Sequence, residues 1–111
     1  MARTQVSMNY TCSFEQAEAI VNSILSSNGF HTTTLKSGEN VWKKGTGLMT
    51  AMEFIKVDFA AGSAQVYGWV QAGVGSVGGR EMDLNGFVAI VPKKSVKKVM
   101  DQLQAALAQQ A

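Results

Sequence analysis

Polar and apolar side chains alternate from Thr4 to Cys12, with Val6, Met8, Tyr10 and Cys12 on one side and Gln5, Ser7, Asn9 and Thr11 on the other. This is the pattern of a half-buried strand. The period then lengthens: Phe14, Ala17, Ile20, Val21, Ile24 and Leu25 form one helical stripe. Ser13 and Gln16 make a capping box, Glu15 and Glu18 put negative charge where the helix dipole favours it, and Asn28-Gly29 supplies a left-handed stop. A helix ending at about Ser27 is predicted. Phe30 to Lys36 is rich in β-branched residues and runs into the turn formers Ser37, Gly38, Glu39 and Asn40, which predicts a hairpin into Val41 to Lys44.

Lys43 to Thr50 has little periodicity and reads as a bulge or loop before a strand from Ala51 to Phe59. In that strand Ile55, Val57 and Phe59 share one face and Phe54, Lys56 and Asp58 the other. After Ala61-Gly62-Ser63 a strand from Gln65 to Ala72 puts Val66 and Val70 on one face and Tyr67 and Trp69 on the opposite one. Beyond the glycine-rich run Gly73 to Gly79, Met82 to Val91 reads as a strand ending in the unbroken apolar stretch Phe87 to Val91, closed by Pro92. Val96, Val99, Met100, Leu103 and Leu107 then mark an amphipathic helix from about Ser95 to Gln109.

The predicted order is β-α-β-β-β-β-β-α, in which the second and third strands can also count as one bent strand. It implies an α+β fold: a single antiparallel sheet of about five strands with two helices on one face. At 111 residues one domain, 1-111, accounts for the chain. The element order resembles one half of the TATA-binding protein and the helix-grip domains, which hold a ligand between a curved sheet and a long C-terminal helix. That likeness bears on fold alone. Val41-Trp42-Lys43-Lys44-Gly45-Thr46-Gly47-Leu48-Met49, with Gly68-Trp69-Val70-Gln71 and Gly78-Gly79-Arg80-Glu81-Met82-Asp83-Leu84, also resembles a small uncharacterised domain of Gram-positive bacteria. It spans most of the chain from Val41 onward and implies no activity and no functional residue.

With 46% hydrophobic and 16% charged residues the chain is expected to fold rather than stay disordered. A net charge of +2 implies no polyanionic partner unless the lysines cluster, which they do between Lys93 and Lys98. The single Cys12 excludes an intramolecular disulfide and a cysteine-based zinc site. A reducing, cytoplasmic setting is expected, with no membrane span, since no apolar run reaches about 18 residues.

Gly73-Val74-Gly75-Ser76-Val77-Gly78 satisfies the G-x-G-x-x-G pattern, but strand-forming residues come next where a dinucleotide site needs a helix, and no acidic residue stands at the required distance. The glycine amides with Arg80 could still hold an anion; a plain hairpin connection is the simpler reading. Gly68 inside a strand marks either a bulge or a close approach. Lys93, Lys94, Lys97 and Lys98 form one basic edge near a helix N-terminus, opposing the dipole, and are candidates for anion binding against the simpler reading of a solvated face. His31 has no second imidazole or thiol beside it, Cys12 reads as an inert thiol, and Glu53, Asp58, Glu81 and Asp83 are carboxylates whose pairing one sequence does not fix. No catalytic set, cofactor or metal is expected.

The leading expectation is a non-catalytic binding or protein-interaction module, a homodimer associating through the sheet, because Phe54, Tyr67 and Trp69 lie opposite the expected core face and need cover. The alternatives are a carrier of a small apolar ligand or lipid, with Met52, Phe54, Trp69 and Met82 lining a pocket under the C-terminal helix, and nucleic-acid binding through the lysine edge, which is not favoured.

Overall fold

The computed structural model describes residues 3–45, 52–72, 80–82, 84 and 90–109. The elements run β1 (Thr4–Asn9), α1 (Phe14–Ser27), β2 (His31–Thr34), β3 (Asn40–Lys44), β4 (Met52–Ala60), β5 (Ser63–Ala72), β6 (Arg80–Met82) and α2 (Ile90–Gln109). One antiparallel sheet has the order β1-β5-β4-β3-β2, with β6 also on β5. β1 takes the first half of that edge, from Asn9 opposite Ser63 to Thr4 opposite Gly68, and β6 takes the second, from Val70 opposite Met82 to Ala72 opposite Arg80. The expected α+β architecture holds, with a short sixth strand at the edge.

Local chemistry sets the element ends. Ser13 caps α1 by accepting the Gln16 N–H at 3.1 Å. Asn28 closes it, its side-chain amide donating to the Ile24 carbonyl at 2.8 Å, and Gly29 comes next at φ +87°. β4 and β5 are joined by Ala61-Gly62 alone, with Ala60 opposite Ser63 and Gly62 at φ +75°.

Two expectations need correction. Ile90 and Val91 belong to α2 and not to a strand, because an apolar run this short suits a buried helix turn as well as a strand, and Pro92 is tolerated in a first turn. Lys43 and Lys44 complete β3, as the predicted hairpin into Val41 to Lys44 requires, so the loop reading that also began at Lys43 does not hold for these two residues. Phe87 to Ala89 and the glycine run Gly73 to Gly79 lie outside the described residues. Strand β6 begins immediately after that run, so no helix opens directly on it as a dinucleotide site requires.

Both helices cover the sheet face of Val6, Met8, Ile55, Val66 and Val70, and α2 packs on β5, β1, β4 and α1. Gly68 shows why the fit is close: a Cβ there would lie 2.6 Å from Met100 Sδ and 3.0 Å from Val96 Cγ1. Its role is therefore close approach, and the approaching element is α2. Among the described residues no helix is long and apolar enough to cross a membrane.

Candidate interaction surfaces

The face without helices carries its own cluster: Val41, Phe54 and Trp69, flanked by Leu35, Met52 and Tyr67. Register dictates it, since Lys43, Phe54 and Trp69 are cross-strand neighbours. Phe54 and Trp69 stack with centroids 5.2 Å apart and 8° between planes. The Arg3 guanidinium lies 3.8 Å above the Trp69 ring. It also forks onto Glu39, Nη1 donating to Oε2 at 3.0 Å and Nη2 to Oε1 at 3.1 Å. Lys56 Nζ donates to the same Oε2 at 3.0 Å, and Ser37 Oγ donates to Oε1 at 2.9 Å. These donors, Arg3 foremost, hold the Glu39 carboxyl down at about 2, and that carboxylate in turn raises Lys56.

The premise that these aromatics stand open therefore needs correction: in the single chain Trp69 is 0% and Phe54 3% exposed, with Tyr67 and Met52 half-buried. Nor can Met52, Phe54 and Trp69 line a pocket under α2, which packs on the opposite face of the sheet. Met82 is placed in β6 opposite Val70, and Arg80 opposite Ala72.

The lysine edge is also altered. Lys94, Lys97 and Lys98 are exposed, but Lys93 is only 5% exposed and belongs to the buried stripe of α2. These lysines and the Phe54–Trp69 stack are on different faces of the sheet, so the structure does not bring a basic edge and a stacking platform together. Glu53 and Asp58 likewise sit on opposite faces of β4; Glu53 Oε1 is buried with no hydrogen-bond partner, while Asp58 lies 3.8 Å from Lys56. Glu81 is in β6 and Asp83 lies outside the described residues. His31 is exposed at the start of β2, and among the described residues no three potential ligands gather as a metal site.

A surface that sequence patterning does not single out lies beside α1. A groove of about 240 Å³ runs between Glu18 and Asn22 of the helix and Thr32, Trp42, Val57 and Phe59 of the sheet. Phe59 is also a wall of a second cleft, of about 420 Å³, shared with Tyr10, Cys12 and Phe14. Phe14 is 46% exposed there and meets the Phe59 ring edge-on at 5.2 Å. Helical periodicity places Phe14 on the buried stripe of α1, and the structure corrects this: at the first helical position it lies beyond the core that Ala17, Val21 and Leu25 fill. Trp42 gives no signal in the sequence, because its face depends on pairing with Ile55.

The groove borders β2, which among the described residues pairs only with β3. Leu35 N–H turns inward to the Glu39 carbonyl at 2.8 Å, so alternation turns the N–H and C=O groups of Thr34 and Thr32 outward. No protein-family model, curated protein or solved structure matches this chain.

Proposed function

We propose that the chain is a non-catalytic interaction module that self-associates edge to edge through β2. The supporting observation is the outward-facing backbone of Thr32 and Thr34 on a strand, His31–Thr34, that carries no proline, lysine or carboxylate to discourage pairing. Two copies related by an axis normal to the sheet would set Thr33 against its counterpart and Thr32 against the second copy's Thr34. Threonine pairs of this kind favour a sheet, and both helix layers would lie on the same side, with the Trp42–Val57 grooves flanking the seam. A cytoplasmic setting accords with the free Cys12.

Sedimentation velocity over a wide concentration range tests this reading. A monomer–dimer equilibrium is expected, and Thr32→Pro, which removes an outward N–H, abolishes the dimer while preserving the circular dichroism spectrum. A chain that stays monomeric throughout rejects it.

An apolar small ligand is the second reading, supported by the cleft of about 420 Å³ at Tyr10, Cys12, Phe14 and Phe59. Native mass spectrometry of freshly purified protein should then show a bound adduct that Phe14→Ala loses.

A further inference from the structure

The far face closes over a positive charge. Arg3 is held by three kinds of contact at once: stacking over an indole, a two-pronged carboxylate, and burial that leaves its side chain 11% exposed. A planar, weakly hydrated guanidinium fits all three, whereas an ammonium offers neither two parallel N–H bonds from separate nitrogens nor a flat face to lay on a ring. The receptor is assembled from strands remote from its occupant: Trp69 comes from β5, and Glu39 precedes β3, 36 residues beyond Arg3. Lys56 and Ser37 orient the carboxylate from its remaining sides.

We propose that Trp69 and Glu39 form a guanidinium-binding site which Arg3 fills from within the chain, and which accepts an arginine side chain from a partner when Arg3 leaves. Arg3 precedes β1, an outer strand that among the described residues pairs in the sheet with β5 alone and whose Thr4 hydroxyl also accepts the Leu84 N–H at 2.9 Å, so release of the occupant needs only local opening at the start of one edge strand. Tethering gives Arg3 a high effective concentration, and an external guanidinium must outcompete it. The site is separate from the β2 edge and stands whether or not the chain dimerises.

The test is chemical rescue in a Trp42→Phe background, where Trp69 is the sole indole. Methylguanidinium chloride is titrated against methylammonium chloride at matched ionic strength, with Trp69 emission and the melting temperature as readouts. For Arg3→Ala, methylguanidinium alone should restore the parent emission and raise the melting temperature, saturating in roughly the millimolar to tens-of-millimolar range suited to so small a ligand. The Arg3-containing protein should not respond over that range, and Glu39→Gln added to Arg3→Ala should erase the response. Equal responses to the two cations, or none in Arg3→Ala, overturn the proposal. Should Arg3→Ala not fold, Arg3→Lys undergoes the same titration, and there too only a selective response to methylguanidinium sustains it.

Discussion

The two faces of the sheet are closed by different physics. Under the helices, Ile55, Val66, Val70, Val96, Leu103 and Leu107 exclude water chiefly by apolar packing, with Lys93 the one buried charged residue of the described α2 stripe, and Gly68 is kept bare so that α2 can settle. On the other face a stacked pair of aromatics is roofed by Arg3, Glu39 and Lys56. Apolar packing is indifferent to protonation and ionic strength; a roof of ionised groups responds to both. One sheet therefore carries a stable side and a conditional side.

The largest break in this comparison comes from the helix side. Leu103→Ala, at a fully buried position, should cost about 2–5 kcal/mol in urea unfolding through lost burial and the cavity left behind. Gly68→Val should cost about 1–3 kcal/mol by overpacking against Val96 and Met100. Both should leave the Arg3–Glu39 contact intact in whatever fraction remains folded.

The conditional side should yield first to acid. The Glu39 carboxyl is lowered from 4.5 to about 2 in the folded chain, so its contribution is complete above pH 4.5 and is lost as pH falls toward 2. Trp69 emission should shift across that window while the helical circular dichroism signal persists, and Glu39→Gln should flatten the shift. A partly exposed network of this kind is worth at most about 1 kcal/mol in total stability. Thr32→Pro should have the smallest effect on monomer stability, because its N–H points away from β3, and under the proposed edge-to-edge pairing would act on that pairing alone.

Where the sequence is readable, a short-range rule is enough. Ser13, Gln16 and Asn28 mark both ends of α1, and strand parity separates Ile55 and Val66 from Phe54 and Trp69. The roof is illegible because Arg3 and Glu39 lie outside the strands and meet only after β1, β5, β4 and β3 are in register. Lys93 escapes for a different reason. A helix starting near Ser95 leaves it off the stripe, although Lys93, Val96, Met100, Leu103 and Leu107 share one helical face once the helix begins at Ile90. The groove beside α1 depends on how far a helix overhangs a sheet edge, which no local pattern encodes.

The Ala61-Gly62 connection between β4 and β5 bears on the time course of folding. A two-residue link lets the central hairpin close with little loss of chain entropy, whereas β1 must find β5 across α1 and the intervening strands. Tyr10 then fastens the arriving strand to the turn, its N–H donating to the Gly62 carbonyl at 3.1 Å and its hydroxyl to the Ala60 carbonyl at 2.8 Å. Stopped-flow measurements should accordingly find that Gly62→Val mainly slows refolding, and that Tyr10→Phe mainly hastens unfolding.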